Sequence, residues 1–351
     1  MRIGIPKEIK TLEARVALLP AACLELIKHG HEVFIESHAG LKAGYTNQQY
    51  QNIGCQITDS AEQTYASVEL IVKVKEPQPQ EVKLLRPDHI VFSYLHLAAE
   101  PELLNSLQAC GVTAIGFETV QENQQLPLLA PMSDIAGRLS VQIGATLLHN
   151  HQGGRGVLIG GLAGAERGNI VILGAGVAGG HAALVAQSLG ANVVIFDPNR
   201  DKLTQMRAFG PNVTGLFPNS HDIERYVTEA DLLVGAVLIP GAKAPKLVDH
   251  ELVRKMHPGS VIIDISVDQG GCIETTKPTT YEHPTYVLDE VVHFGVTNMP
   301  GAVPRSASQA LSAALLPYIL RLAKPDWKTD KALLGGVNVE AGKVVHPALM
   351  L

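Results

Sequence analysis

The sequence predicts an α/β protein of two domains, each built on a mainly parallel, doubly wound sheet, with a cleft between them. Three observations predict this class. The chain has 351 residues, about twice the usual size of one domain. Its 33 glycines and 5% aromatic residues are typical of buried sheets and close-packed helices. Short apolar runs alternate with helical patterns, which is typical of parallel sheets with crossover helices.

The first third of the chain contains four predicted strands and a helix. A helical pattern covers residues 21–28 and ends at Gly30, and glycine commonly follows a helix. Apolar runs that are bounded by polar residues or proline predict the strands. These strands cover residues 2–5, 32–36, 70–74 and 89–95.

A second region begins after a change in composition at residues 126–132, where proline interrupts an apolar run. Ser133 is a helix start signal, and residues 139–149 predict a helix that bridges the two domains. Apolar runs then predict five further strands. These cover residues 170–173, 192–196, 232–237, 260–265 and 294–297.

The last long helical pattern covers residues 306–322 and contains Pro317. Because proline lacks a backbone N–H, we expect the helix either to kink there or to turn that face away from its neighbours. We expect this helix to cross back to the first domain, which makes that domain discontinuous. The predicted domains are residues 1–128 plus 305–351 and residues 129–304.

Charge and cysteine content exclude several classes of partner. The 28 basic and 34 acidic side chains give a net charge of −6 without a basic block, so we expect neither nucleic acid nor an anionic membrane surface. Residues 168–196 carry no charge, but six glycines and several polar residues argue against a membrane span. The charge therefore favours a small-molecule partner. Four separated cysteines without metal-ligand spacing predict a reducing compartment and no metal site, and we expect a cytoplasmic protein.

The segment from residue 169 to residue 197 has the pattern of a dinucleotide-binding turn. An apolar strand leads into Gly174, Gly176 and Gly179, and an alanine-rich helix and a second strand follow. Gly174 permits a tight turn, Gly176 lets the backbone approach a pyrophosphate, and Gly179 lets the helix pack closely on the strand. Unpaired N–H groups at the helix N-terminus favour phosphates.

Asp197, at the end of the second strand, indicates which dinucleotide binds. Its carboxylate can accept hydrogen bonds from both hydroxyls of the adenosine ribose, each contributing about 1.5–3 kcal/mol. The same carboxylate would repel a 2′-phosphate, so the sequence predicts NAD rather than NADP and a Rossmann-like domain. The neighbouring Gly160, Gly161 and Gly164 lack a preceding strand and a following helix, and they predict a loop.

Three polar residues of the first domain follow predicted strands, where open α/β sheets bind ligands. Arg15 lies in the loop after the first strand, Lys75 ends the run LIVKVK, and His96 ends the run IVFSYLH. A guanidinium, an ammonium and an imidazole could bind a carboxylate, polarise a carbonyl and transfer a proton, which suits a small keto or amino acid. Alternatively, each is an ordinary surface charge or strand cap, and Lys73 lies on the same face as Lys75.

In the second domain, the run SVIIDISVDQGG places Asp264, Ser266 and Asp268 at and just past a strand end. Asp268 could hydrogen-bond a substrate amine or the reaction water, or it could simply form a turn before glycine. Neither GxSxG nor GxxxxGK[ST] occurs in the chain, so the sequence predicts neither a serine hydrolase nor phosphoryl transfer.

Eight runs along nearly the whole chain carry a resemblance to a known family. They are MRIGIPKEIKTLEARVALLP, VKVKEP, LHLAAE, LPLLAPMSDIAGRLS, GGRGVLIGG, GAVLIPGAKAPKLV, IDISVDQGGCIETTKPTTY and NMPGAVPRSAS. These runs resemble bacterial alanine dehydrogenase, of the family that also contains the transhydrogenase alpha subunit. The resemblance implies reversible, NAD-dependent oxidative deamination of L-alanine to pyruvate and ammonia. It also implies a homohexamer of two-domain subunits.

The resemblance also implies roles for individual residues. Arg15 and Lys75 match the family's substrate-binding residues, which favours Lys75 over Lys73. His96 matches its acid/base histidine, and Asp268 its second active-site residue. With the glycines of the turn, the predicted cofactor contacts are Ser133, Gly174, Gly176, Val177, Ala178, Gly179, Asp197, Lys202, Val237, Leu238, Ile265, Ser266, Val267, Asp268, Val296, Thr297, Asn298 and Met299.

Three other functions share parts of this pattern. A related amino-acid dehydrogenase is the nearest, because the sequence identifies the reaction better than the side-chain pocket. The NAD-binding subunit of a transhydrogenase, a hydride-carrier module, shares the fold, but its loop resembles RAQSMDALSSQ where this chain reads APMSDIAGRLS. A non-enzymatic NAD-binding regulator is disfavoured because all four active-site matches are present.

Overall fold

The computed structural model describes residues 1–238 and 244–350. Its strands, in chain order, are β1 (Arg2–Ile5), β2 (Glu32–Glu36), β3 (Gln56–Thr58), β4 (Leu70–Val72), β5 (Ile90–Ser93), β6 (Thr113–Gly116), β7 (Asn169–Leu173), β8 (Asn192–Phe196), β9 (Val213–Leu216), β10 (Leu232–Gly235), β11 (Val261–Asp264), β12 (Thr285–Leu288), β13 (Val291–Phe294), β14 (Val337–Glu340) and β15 (Lys343–Val344). Its helices are α1 (Pro20–Lys28), α2 (Asn47–Gln51), α3 (Ala61–Ser67), α4 (Pro79–Val82), α5 (Pro101–Cys110), α6 (Ala130–Leu147), α7 (Val177–Ser188), α8 (Arg200–Arg207), α9 (Ser220–Thr228), α10 (His250–Val253), α11 (Pro304–Leu322) and α12 (Lys331–Gly336).

The chain divides into two compact units. Unit 1 comprises Met1–Met132 and Gly301–Leu351, and unit 2 comprises Ser133–Pro300. The described strands of unit 1 form one sheet in the order β15-β14-β6-β5-β4-β1-β2-β3. Strands β1 to β6 pair in parallel, and β14 and β15 extend the sheet in the antiparallel sense. The parallel part therefore has the 3-2-1-4-5-6 order of a Rossmann sheet.

Unit 2 repeats this arrangement with different strands. Its order is β12-β13-β11-β10-β7-β8-β9, and β12 is the antiparallel member. Read from β9, the parallel strands again follow the 3-2-1-4-5-6 order, with the reversal between β7 and β10. The prediction of an α/β protein with two mainly parallel sheets is confirmed.

Continuous apolar runs form the central strands because both faces of these strands are covered. All residues of β4, β10 and β11 are buried. The core of unit 1 includes Ile71 and Val91, and the core of unit 2 includes Leu233 and Ile262. Several helices begin at a side chain that accepts a backbone N–H, as Asn199 does for α8.

Helix α11 continues through Pro317. Pro317 is exposed, and so is Ala313, four residues earlier, whose carbonyl has no helical partner. The proline face of the helix is therefore turned away from the core. This was the second of the two expectations for this helix.

The predicted strand at residues 294–297 was wrong. The strand is β13, Val291–Phe294, because Val292 and His293 pair with β11 and the chain leaves the sheet at Gly295. A side chain at Gly295 would lie 2.3 Å from the carbonyl oxygen of Lys277, which crosses there. Strands β3, β6, β9, β12, β14 and β15 were missed since their runs are short or mixed with polar residues.

Candidate active site

Three strands of unit 1 carry the predicted substrate residues beyond their carboxyl ends. Strands β1 and β4 flank the reversal of strand order, and β5 lies beside β4. Arg15 follows β1, Lys75 follows β4 and His96 follows β5. Because parallel strands have their carboxyl ends at one edge of the sheet, all three residues follow the same edge, where open α/β sheets bind ligands.

Arg15 is held by a carboxylate from its own loop. The arginine is 3% exposed, and its Nε and Nη2 donate to Oε1 and Oε2 of Glu13 at 2.7 and 2.6 Å. Burial raises the pKa of Glu13, but the hydrogen bonds and charge of Arg15 outweigh it and lower this pKa to about 2. The pair is therefore ionised at neutral pH. The arginine Nη1 also lies 3.2 Å from the sulfur of Met132.

The two lysines after β4 have different surroundings. Lys73 is fully buried, and its Nζ donates to Glu81 at 3.0 Å and to Glu8 at 3.3 Å. Lys75 is half-buried, and burial lowers its pKa, which the positive charge of Arg15 lowers further. Lys73 thus belongs to a buried ion-pair cluster with Glu8 and Glu81. Lys75 is outside this cluster, and it lies close enough to Arg15 for the charge of the arginine to lower its pKa.

His96 sits in a strained turn that a carboxylate holds. Its φ is +50°, and Glu118 accepts the N–H of His96 at 2.7 Å and the N–H of Leu95 at 3.1 Å. The imidazole stacks on the ring of Tyr94, with centroids 6.1 Å apart. The Tyr94 hydroxyl in turn donates to the carbonyl oxygen of Leu128 at 2.6 Å. A half-buried imidazole fixed in this way can give and take a proton at the sheet edge.

The glycine turn of unit 2 connects β7 to the N-terminus of α7. Gly174 has φ +97°, and a Cβ there would lie 2.6 Å from the carbonyl oxygen of Ala236. A Cβ on Gly179 would lie 1.8 Å from the carbonyl oxygen of Gly174. A Cβ on Gly176, by contrast, would meet no described atom within 4 Å. The turn is therefore closed against the sheet and open in the middle, which fits a pyrophosphate lying against backbone N–H groups.

Asp197 links this turn to the end of β8. The residue is 6% exposed, and its Oδ2 accepts the N–H of Ala175 at 2.8 Å while its Oδ1 accepts the N–H of Asn199 at 2.8 Å. Lys202 Nζ lies 3.8 Å from Oδ2. Each carboxylate oxygen can accept more than one hydrogen bond, so ribose hydroxyls can bind beside these backbone groups.

Asp268 lies in an exposed turn after β11. The buried Asp264, at the end of that strand, accepts the N–H groups of Ser266 and Cys272 at 3.0 and 3.1 Å and the hydroxyl of Thr276 at 2.8 Å. Burial raises the pKa of Asp264, and these hydrogen bonds oppose the rise. One carboxylate thus binds both ends of the loop that carries Asp268.

The other predicted cofactor residues also lie in unit 2, on two helices or beyond the carboxyl ends of strands. Ser133 lies in α6, Val177 and Ala178 begin α7, Val237 and Leu238 follow β10, Ile265, Ser266 and Val267 follow β11, and Val296, Thr297, Asn298 and Met299 follow β13.

Sequence reasoning missed the residues that hold the predicted site residues in place. Glu13, Glu118 and Asp264 have this role. Asp264 was noted at the end of a predicted strand but was given no role, and Glu118 follows β6, which the sequence did not predict. Gly137 in α6 was also missed, and a Cβ there would lie 2.0 Å from the carbonyl oxygen of Ala178. A glycine inside a helical pattern was the available signal for this close approach.

Comparisons with known proteins identify the family of the chain. Family models described as the N-terminal and C-terminal domains of alanine dehydrogenase/PNT match residues 4–136 and 140–347. The chain belongs to the alanine dehydrogenase family. Alanine dehydrogenases of Bacillus subtilis and Methanococcus maripaludis are each 47% identical to it, over 99% of this chain and 94% and 95% of their own length. The resemblance inferred from the sequence is confirmed.

Solved structures with a similar fold include a member of the same family. An L-alanine dehydrogenase superposes with a TM-score of 0.96 at 52% identity, covering 99% of this chain and 98% of that one. A transhydrogenase from Sinorhizobium meliloti has a TM-score of 0.86 at 24% identity, covering 99% of this chain and 100% of that one. The likeness to the transhydrogenase is one of fold.

Two features do not occur in the part of the chain that the structure describes. None of its helices combines the length and the apolar character that crossing a bilayer requires. No group of three or more His, Cys, Asp or Glu side chains is arranged to hold a metal ion.

Proposed function

We propose that the two units of this alanine dehydrogenase divide the reaction between them. The enzyme uses NAD to convert L-alanine to pyruvate and ammonia, and it runs the reverse amination. In our proposal residues 1–128 with 305–351 bind and convert the substrate, and residues 129–304 bind NAD. One observation carries the proposal: Arg15, Lys75 and His96 follow neighbouring strands at one edge of the unit 1 sheet.

Arg15 and Lys75 bind the substrate in this proposal. Arg15 is a buried, permanently charged guanidinium that can give a carboxylate two parallel hydrogen bonds. Lys75 adds a second positive charge, which can attract the substrate carboxylate or polarise the carbonyl of pyruvate. Lys73 is buried, and its Nζ donates to Glu8, to Glu81 and to the carbonyl oxygen of Glu76, so we assign it no contact with the substrate.

Bound NAD would supply the acceptor for the hydride that leaves the substrate Cα. His96 then takes a proton from the water that attacks the iminium carbon, and it returns a proton as the carbinolamine releases ammonia. Asp268 hydrogen-bonds the amine and orients it. In the reverse direction His96 supplies the proton that lets the carbinolamine lose water.

The glycine turn and the strand ends of unit 2 hold NAD. The turn of Gly174, Gly176 and Gly179 would hold the pyrophosphate at the start of α7, and Asp197 would accept hydrogen bonds from the ribose hydroxyls. Apolar and backbone groups after β10, β11 and β13 would contact the rest of the cofactor. The negative charge of Asp197 disfavours a 2′-phosphate, which supports NAD over NADP.

We also propose a homohexamer in the cytoplasm. Leu158, Leu162 and Leu189 of unit 2 are 60%, 62% and 45% exposed, and large apolar side chains of this kind are commonly covered by subunit contacts. The described cysteines are free thiols, as in a reducing compartment. Light scattering on the purified protein tests the hexamer, which predicts six times the chain mass of 37.5 kDa.

The function is tested by following NADH formation after L-alanine is added, in parallel with other L-amino acids and with NADP. We expect a signal with L-alanine and NAD. A stronger signal with a larger L-amino acid would instead identify a related amino-acid dehydrogenase.

The role of His96 is tested by His96→Ala. We expect turnover to fall by about 10²–10⁴ while NADH binding, measured by fluorescence titration, is unchanged, because a positioned acid/base contributes about that factor. His29→Ala, which removes an exposed histidine of the same unit, is the control and should keep wild-type turnover. Wild-type turnover in His96→Ala would rule out the assignment.

A further inference from the structure

The guanidinium of Arg15 has five N–H groups, and the described contacts use three of them. Glu13 binds the side of the guanidinium through Nε and Nη2, and Nη1 points one N–H at the sulfur of Met132. One N–H on Nη1 and one on Nη2 are left by these contacts. The end-on edge of the guanidinium, formed by Nη1 and Nη2, is not the edge that Glu13 engages, and it has the spacing of a carboxylate.

Glu13 is itself fixed before any substrate arrives. Its side chain is 1% exposed, and its Oε1 accepts the backbone N–H groups of Ala14 at 3.2 Å and Arg15 at 3.0 Å. The same oxygen accepts from Arg15 Nε. Because Glu13 is fixed by its own loop, it determines which edge of the arginine is left for another carboxylate.

Glu13 also offsets positive charge around Lys75. The groups that face Lys75 are Arg15 and Lys10, which lower its pKa, and Glu76 and Glu13, which raise it. Lys10 is paired with Glu76 and Arg15 with Glu13. Removing the charge of Glu13 would leave Arg15 unpaired next to Lys75, and the two cations would repel each other.

We propose that Glu13 is a positioning residue for substrate binding: it engages the side of Arg15 so that the end-on N–H pair faces the substrate carboxylate. The proposal rests on the substrate role proposed above for Arg15. It assigns Glu13 no contact with the substrate and no proton transfer. Its effect is therefore expected in the binding of the carboxylate more than in the rate of the chemical step.

Glu13→Gln tests the proposal, with pyruvate, ammonia and NADH as substrates. The amide keeps one acceptor oxygen and replaces the other with an NH2 group that cannot accept from Arg15, so the arginine loses its bidentate, charged partner. We expect the KM for pyruvate to rise about 10–100-fold, as for one lost charge-assisted hydrogen bond, while kcat changes less than threefold. Oxamate, which has the shape and carboxylate of pyruvate but does not react, should lose inhibition by the same factor.

Two further variants separate positioning from a general loss of structure. Glu13→Asp keeps the charge but shortens the side chain, and we expect a KM between those of the wild type and Glu13→Gln. Glu36→Gln changes another buried glutamate of unit 1, whose carboxylate accepts the N–H of Lys7, and it should leave the KM unchanged. The binding of NADH should be the same in all three variants.

The pH dependence of oxamate binding distinguishes positioning from a merely structural role, because a structural role would leave this pH dependence unchanged. Glu13 helps to keep Lys75 protonated against the charges of Arg15 and Lys10, and Glu76 remains in Glu13→Gln. The pH above which oxamate binding weakens should therefore be lower in Glu13→Gln than in the wild type.

An unchanged KM for pyruvate and an unchanged oxamate inhibition in Glu13→Gln would overturn the proposal. If Glu13→Gln does not fold, Glu13→Asp decides: a KM raised at least threefold supports the proposal, and an unchanged KM overturns it. Failure of the proposed function has a different result, since Arg15→Met would then keep the wild-type KM for pyruvate.

Discussion

The two units have the same order of parallel strands but place different chemistry at the carboxyl edge of the sheet. In unit 2 the edge next to the reversal of strand order carries a glycine turn, and the backbone itself is the binding group. In unit 1 the corresponding edge carries charged side chains, two of which are buried in ion pairs: Arg15 with Glu13 and Lys73 with Glu8 and Glu81. One Rossmann strand order thus supports a backbone site in one unit and a side-chain site in the other.

The difference has a physical cause. A backbone site needs space, so unit 2 removes side chains at Gly174 and Gly179. A side-chain site needs fixed charges, and a buried charge is stable only when it is paired. Unit 1 therefore uses glutamates to hold its cations, and these glutamates come from several segments of the chain.

The largest expected effect concerns the buried charges of unit 1. Lys73→Met leaves Glu8 and Glu81 without their buried partner, and the free energy of unfolding should fall by about 3–5 kcal/mol. Lys28→Met removes an exposed lysine that pairs with Glu25, and its effect should be below about 1 kcal/mol. Urea unfolding followed by circular dichroism measures both. Equal effects would show that burial does not distinguish the two ion pairs.

Gly179→Ala should have the next largest effect, and it falls on unit 2. The new methyl group would lie 1.8 Å from the carbonyl oxygen of Gly174, so α7 must move away from the turn. We expect the dissociation constant for NADH to rise at least 100-fold. Fluorescence titration measures it, and wild-type affinity would show that the turn tolerates this movement.

Gly176→Ala tests the glycine turn without a clash inside the protein, because a methyl group there meets nothing within 4 Å in the described structure. We expect an unchanged melting temperature together with an NADH dissociation constant about tenfold higher, since the methyl group lies where the pyrophosphate approaches. An unchanged dissociation constant would mean that the cofactor does not pass over this residue.

The smallest expected effect is on acid stability. The pKa of Glu13 is about 2 in the folded chain against an ordinary value of 4.5, so its contribution to stability is complete above pH 4.5 and is lost as the pH falls towards 2. The advantage of the wild type over Glu13→Gln in free energy of unfolding should therefore be about 1 kcal/mol smaller at pH 3.5 than at pH 6. Urea unfolding at the two pH values measures it, and an advantage that grows in acid would contradict the sign.

The sequence predicted the backbone site more completely than the side-chain site. The glycine turn and Asp197 lie within one continuous segment with a fixed order of strand, turn, helix and strand, so a local pattern is enough to find them. Lys73 and Lys75 could not be separated by alternation, because their difference depends on Glu8 and Glu81, which lie on other segments. The strand at residues 294–297 was misplaced for a similar reason, since pairing with β11 determines where β13 begins and ends.

The central claim is that unit 1 binds the substrate and unit 2 binds the cofactor. Arg15→Met tests it directly when NADH binding and pyruvate kinetics are measured on the same preparation. The account predicts that kcat/KM for pyruvate falls at least 100-fold while the NADH dissociation constant stays within twofold of the wild type. Wild-type kcat/KM for pyruvate, or a loss of NADH affinity as large as the loss of pyruvate turnover, would contradict the division of roles.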